Sequence, residues 1–228
     1  RELTLFFTLL LACPDGHAAE QDNWYLAQDF HVADGTHDHV GVAYYENNST
    51  GAKEIYVCKQ WSSSSRIGVY ELNGTLIRDI TVASTRDTAL DVALDENGTI
   101  YIAEEKAITC LENDGTFKWR TGKNASISNY GSSGSGNGEF NYAKGIAVGP
   151  DGNLYVCDST NHRCQVLDKN GNFIRKFGSN GSAPGQLKSP KDIIVFEDGT
   201  VLIGDDDFLN FFMSDGTFVK RVNTDDGK

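Results

Sequence analysis

The sequence predicts an all-β chain of repeated four-stranded antiparallel sheets, and three observations carry that expectation. The first is the stretch Gly138–Gly178, which reads as four short runs separated by turns. Gly145–Gly149, Leu154–Cys157, Arg163–Leu167 and Phe173–Phe177 are each too short for a helix and rich in strand formers. Asp151-Gly152 and Asn170-Gly171 sit between them and suit hairpin turns that need positive φ. The second observation is repetition. Second-hairpin turns recur at Asn73-Gly74, Asp114-Gly115, Asn170-Gly171 and Asp215-Gly216, spaced by 41, 56 and 45 residues. First-hairpin turns recur at Asn97-Gly98, Asp151-Gly152 and Asp198-Gly199, spaced by 54 and 47. The third is that no longer segment shows helical periodicity. A four-stranded propeller blade takes about 40–50 residues. The expected architecture is therefore a β-propeller with about four blades present.

In chain order, Leu3–Ala12 comes first, an apolar run of ten residues. It is too short for a membrane-spanning helix, which needs about 20. With Ala18 and Ala19 after it, residues 1–19 read as a secretory signal peptide or lipoprotein signal. Leu10-Leu11-Ala12-Cys13 is similar to a lipobox, which would put a lipid anchor on Cys13. The expected location is secreted, periplasmic or cell-surface. Residues 20–228 then form the propeller, with blades near 31–82, 85–123, 131–178 and 179–222. Trp24–Phe30 leads into the first blade or supplies it an outer strand. The Gly/Ser stretches Gly131–Gly138 and Gly178–Gly185 each precede a resumption of the repeat in phase, so they read as inter-blade connections. Stacked blades bury both faces of each sheet, which explains why the central runs do not alternate strictly.

The formal net charge is −12. A surface this acidic repels phosphate backbones, so nucleic acid is not an expected partner. The cysteines are Cys13, Cys58, Cys110, Cys157 and Cys164. Cys157 and Cys164 flank one loop and are a candidate disulfide, but Cys58 and Cys157 take matching places in the repeat. That favours buried free thiols, which behave as small hydrophobes. No GxSxG elbow or phosphate-binding loop occurs.

The third repeat carries a family likeness. Gly145-Ile146-Ala147-Val148, Asp151-Gly152-Asn153-Leu154-Tyr155-Val156, Asp158, Asn161-His162-Arg163 and Gln165-Val166 together resemble the NHL repeat. The likeness is close over residues 131–178, good over 179–222 and weak over 31–123. It departs at Ala143-Lys144, where proline is common, at Cys164, and at Asp206-Asp207-Phe208, which replaces Asn-His-Arg. The resemblance implies a propeller, most often six-bladed, so that this chain would be part of a larger ring.

Two regions are candidates for function. The loop Asp158–Arg163 is the sharpest polar cluster. Asp158 reads as a structural acceptor for backbone N–H groups. Asn161, His162 and Arg163 form a candidate ligand-facing patch, with a loop-shaping role as the competing reading. Corresponding loops contain Glu104-Glu105 and Asp205-Asp206-Asp207, which adds Glu104 and Asp205 to the ligand candidates. The innermost strands are the second region. Gly41, Asp91, Gly145 and Asp192 stand just before their apolar cores, and His39 precedes Gly41 by two residues. His39, Asp91 and Asp192 are the candidate metal ligands, for Ca²⁺ or Zn²⁺. The preferred expectation is a non-catalytic module without a cofactor that binds protein, peptide or glycan. The alternative is a propeller lyase or lactone hydrolase with a metal in the axial channel.

Overall fold

The computed structural model describes residues 39–61, 64–82, 88–126, 129–206 and 208–223. Residues 36–228 form one compact unit, to which all of these belong. The expected signal at 1–19, the anchor at Cys13 and the segment Trp24–Phe30 lie outside the described residues.

The described residues build four antiparallel four-stranded sheets, each in simple sequence order. Blade 1 comprises β1 (His39–Glu46), β2 (Lys53–Trp61), β3 (Ser64–Glu71) and β4 (Leu76–Thr81). Blade 2 comprises β5 (Ala89–Leu94), β6 (Ile100–Glu104), β7 (Ala107–Leu111) and β8 (Phe117–Gly122). A small hairpin follows, β9 (Ala125–Ser126) with β10 (Asn129–Tyr130). Blade 3 comprises β11 (Ala143–Val148), β12 (Leu154–Asp158), β13 (Arg163–Leu167) and β14 (Phe173–Phe177). Blade 4 comprises β15 (Asp192–Val195), β16 (Val201–Asp205), β17 (Phe208–Phe212) and β18 (Phe218–Asn223). The propeller fold expected from turn spacing is therefore present. The pairing between third and fourth strands breaks register at the same place in every blade, between Val69/Tyr70, Cys110/Leu111, Val166/Leu167 and Phe211/Phe212.

Three apolar clusters lie between consecutive blades. Tyr56, Cys58 and Ile67 of blade 1 meet Val92, Ile102 and Leu111 of blade 2. Tyr101, Ile108 and Cys110 of blade 2 meet Ile146, Leu154 and Leu167 of blade 3. Tyr155, Cys157 and Val166 of blade 3 meet Ile193, Ile203 and Phe212 of blade 4. Strands β6, β7, β12 and β13 are buried along their whole length, so their sequences carry no alternation. The inner strands approach closely. A Cβ on Gly41 would stand 2.5 Å from the Asp91 Cα, and one on Gly145 2.8 Å from the Asp192 Cα. Glycine at these two places sets the blade spacing.

A polar clamp ties each blade to the next. Tyr56, Tyr101 and Tyr155 occupy matching places on the second strands and all are buried. In register with them on the fourth strands stand Arg78, Trp119 and Arg175. Each reaches a carbonyl at the second-hairpin turn of the following blade. Arg78 Nη2 donates to Asn113 O at 3.4 Å, Trp119 Nε1 to Lys169 O at 3.1 Å, and Arg175 Nε to Ser214 O at 2.8 Å. The two arginines also donate to the tyrosine hydroxyls of their own blades.

Cys58, Cys110, Cys157 and Cys164 are free and buried. Cys157 and Cys164 face each other across β12 and β13 without bonding, which answers the disulfide question in favour of thiols. Burial pushes the Cys110 thiol up to about 12 and raises those of Cys58, Cys157 and Cys164. All four therefore stay protonated at neutral pH and are poor nucleophiles.

Candidate functional site: the blade 3 rim and the inner strands

The NHL-like loop of blade 3 is closed around one carboxylate. Asp158 ends β12 and is fully buried. Its Oδ2 accepts from Arg163 Nε at 2.7 Å, Gln165 Nε2 at 3.0 Å and Asn161 Nδ2 at 2.9 Å. Its Oδ1 accepts from the Asn141 backbone N–H at 2.9 Å and from Asn161 at 3.0 Å. The guanidinium of Arg163 then turns to the linker ahead of the blade. Nη1 donates to Ser135 O at 2.9 Å, while Nη2 donates to Gly136 O at 2.8 Å and Glu139 O at 3.0 Å. Gln165 adds a bond to Glu139 O and accepts one from Gly138 N. Charge-assisted, multidentate bonds of this kind fix geometry as well as energy. The network pins the Gly/Ser linker, which has few apolar contacts of its own.

The same position is varied in the other blades. Glu104 is fully buried in blade 2, where Oε2 accepts from Thr109 Oγ1 at 2.6 Å and pairs with Arg120 at 3.0 Å. Asp205 is buried in blade 4 and accepts the backbone N–H groups of Lys188, Ser189 and Asp206. Blade 1 inverts the sign with Lys59, 3.0 Å from Asp79. Of the candidates for ligand contact, Glu104, Asp205, Asn161 and Arg163 thus spend their polar groups on their own blades and linkers. Burial of a charge demands partners, and short side chains at strand ends find them in local backbone.

Blade 4 shows what an incomplete network looks like. Asn210 takes the place of Gln165, opposite Ile203 as Gln165 is opposite Val156. It is buried, and neither amide atom has a hydrogen-bond partner among the described residues. Asparagine is one methylene shorter and stops short of the linker. Asn210→Gln should reach Gly185 and Gln186 and raise the unfolding free energy by about 1 kcal/mol in urea titration. An unchanged or lowered midpoint would show that the longer side chain does not reach.

Above the Asp158 network, two side chains remain at the surface. Tyr142 is exposed, with φ 67°, and His162 is partly exposed, with φ 57°. Both hold left-handed backbone, uncommon for residues other than glycine. The loop over-determines them. Tyr142 O accepts from Ser159 N at 3.0 Å, Tyr142 N donates to Glu105 O, and His162 Nδ1 lies 2.5 Å from Lys188 O. Lys144 Nζ stands 5.8 Å from the Tyr142 ring centroid. The sequence reading found His162 and missed Tyr142, Gln165 and Lys59. A tyrosine immediately before a strand gives no polar signal, and Gln165 looks like one more strand residue.

On the inner strands, Asp91 Oδ2 accepts from the Ile146 N–H of blade 3 at 2.9 Å. Burial, with the nearby Asp192 charge adding to it, pushes the Asp91 carboxyl up to about 7. Asp192 Oδ1 accepts from Ile193 N at 2.8 Å. His39 opens β1, and its side chain lies outside the description. Among the described residues, no three His, Cys, Asp or Glu side chains converge as a metal site would require.

Comparison with known proteins bears on the fold and on one repeat. Residues 140–167 match the NHL repeat. The chain is 43% identical over 47 residues to RING finger protein nhl-1 of Caenorhabditis elegans, which covers 21% of this chain and 5% of that protein. Among solved structures, a virginiamycin B lyase of Staphylococcus aureus superposes with a TM-score of 0.59 at 11% identity, over 83% of this chain and 56% of the lyase. The Neurospora crassa Pan2 WD40 domain superposes with a TM-score of 0.58 at 9% identity, over 86% and 53%. The chain thus spans little more than half of either propeller and a small part of the sequence relative.

Proposed function

We propose that this chain is an exported, non-catalytic propeller module that binds protein, peptide or glycan on the rim of blade 3. The observation that carries the reading is the division of labour at that rim. Asp158, Asn161, Arg163 and Gln165 satisfy one another and the linker, while Tyr142 and His162 are held above them in strained backbone at the surface. Strain of this kind is concentrated where a surface is preorganised for contact. A tyrosine with a nearby lysine suits the apolar face of a sugar or a peptide side chain. Export is supported by the apolar run Leu3–Ala12 and its small flanking residues. The test is a screen of the purified chain on glycan and peptide arrays, repeated with Tyr142→Ala and His162→Ala. Binding that both substitutions weaken at least tenfold, with an unchanged unfolding midpoint, supports the reading. Absence of binding, or binding indifferent to both, overturns it.

One observation favours the enzymatic alternative. A carboxyl titrating near 7 on an inner strand lies in the range of a general acid or base, and lyases are among the propellers of similar fold. Asp91 and Asp192 would supply oxygen donors to Ca²⁺ or Zn²⁺ in the channel. Stoichiometric metal in the purified protein, lost in Asp91→Asn, would move the assignment to that reading.

A further inference from the structure

We propose that blade 4 binds one alkali cation, Na⁺ or K⁺, between Asp205, Asn210 and the linker that precedes the blade, in the role a guanidinium fills in blade 3. The first warrant is charge. Towards the end of its second strand each blade buries one charged side chain. Lys59 pairs with Asp79 at 3.0 Å, Glu104 with Arg120 at 3.0 Å and Asp158 with Arg163 at 2.7 Å. Asp205 is the exception. It is 6% exposed, and among the described residues its carboxylate meets only the backbone N–H groups of Lys188, Ser189 and Asp206. Phe208 stands opposite it, where Arg163 stands opposite Asp158. Lys188 and Lys191 pair with Asp206 instead. Arg221 donates to Ser182 O and stacks on Phe208, its Cζ 4.2 Å from the ring centroid, so its charge serves the outer linker. A buried carboxylate calls for a counter-charge.

The second warrant is Asn210. It is 1% exposed, and both its amide atoms are without a hydrogen-bond partner among the described residues. The linker beside it is folded as in blade 3. Gln186 N donates to Ala183 O as Glu139 N donates to Gly136 O. Gln186 Oε1 accepts from Ala183 N as Glu139 Oε2 accepts from Gly136 N. Ala183 O and Gln186 O therefore take the places of Gly136 O and Glu139 O. In blade 3 those two carbonyls accept from Arg163, and Glu139 O from Gln165 as well. In blade 4 phenylalanine replaces the arginine, and the shorter amide leaves its own atoms unpaired. The oxygens offered to the ion are thus one carboxylate, Asn210 Oδ1 and two linker carbonyls. One negative charge among carbonyl oxygens balances a singly charged ion, whereas a divalent ion calls for further carboxylates. The ion ties the linker to blade 4 as Arg163 ties its counterpart to blade 3.

The test is thermal unfolding of the full chain at one fixed ionic strength, with NaCl or KCl replacing choline chloride stepwise. The parent midpoint should rise and saturate, by about 3 °C once the ion is about tenfold above its dissociation constant. The salt that saturates at the lower concentration identifies the ion. Phe208→Arg restores the guanidinium of blade 3. It should abolish the rise and hold the midpoint in choline at or above that of the parent. Asn210→Leu removes one oxygen donor and should weaken the apparent affinity at least tenfold, which keeps the test decisive if the arginine variant does not fold. Equal parent midpoints in all three salts overturn the proposal. So does a rise undiminished in Asn210→Leu, or one that only millimolar Ca²⁺ produces.

Discussion

Asp158→Ala should lower the unfolding free energy by about 3–5 kcal/mol, the cost of breaking a buried ion pair from one side. The magnitude follows from what is left behind. Arg163 is 6% exposed and would keep its charge without the carboxylate 2.7 Å away. Asn161 and Gln165 would also lose their shared acceptor. The linker carbonyls of Ser135, Gly136 and Glu139 soften the loss, since they still accept from the guanidinium. They place the result nearer the lower figure. Arg163→Met removes the charge instead and leaves Asp158 to Asn141, Asn161 and Gln165. The double variant should therefore be more stable than the sum of the two single losses predicts, because the second substitution removes the orphaned partner. Urea unfolding of all four proteins measures the coupling. Additive losses would show that Asp158 and Arg163 act independently, and a loss under 1 kcal/mol for Asp158→Ala would show that the network shapes the loop without stabilising the blade.

That network also marks how far the sequence could be read. Turn residues revealed the blades, because Asx-Gly pairs have a backbone reason to sit between short strands. They recur even where the strands have drifted, as at Asn73-Gly74 in the diverged first blade. The family likeness pointed at Asp158–Arg163, and the competing loop-shaping role is the one the hydrogen bonds of Asp158, Asn161 and Arg163 support. The ligand-facing expectation for Glu104 and Asp205 met burial instead. A polar loop in sequence does not reveal which way its carboxylates turn, and the end of a fully buried strand turns them inward. Lys59 was invisible for the opposite reason. It holds the position of an acid in the other blades with a base, and only the register of β1 on β2 shows the equivalence. Tyr142 is not legible in the sequence at all, since positive φ at a tyrosine has no sequence signal. The clamp of Arg78, Trp119 and Arg175 hides in a similar way, because two arginines and a tryptophan perform one task.

Asp91→Asn should make the protein more stable at alkaline pH and leave it nearly unchanged in acid. The native carboxyl, enclosed by the inner strands and near Asp192, keeps its proton up to about 7. In the unfolded chain an aspartate loses it near 3.9. Between those values the unfolded state releases a proton that the native state retains. Rising pH therefore pulls the equilibrium toward unfolding, and the stability present in acid is lost progressively between about 4 and 7 and is gone above 7. Three pKa units at about 1.4 kcal/mol each set a ceiling of about 4 kcal/mol on the loss. Asparagine resembles the neutral acid in size, still offers Oδ1 to the Ile146 N–H, and has no charge to desolvate. Unfolding midpoints of parent and variant, taken from pH 3 to pH 8.5, should coincide near pH 3, diverge between about 4 and 7 with the variant higher, and run parallel above that. Taking the difference between the two curves cancels every other titrating group, so the pH at which they stop diverging reports the native Asp91 carboxyl. Parallel profiles, or a parent that gains stability relative to the variant with rising pH, would place a charged Asp91 comfortably among the inner strands. The general acid–base reading would then lose its one support, because a carboxyl ionised throughout that range has no proton to exchange near neutrality.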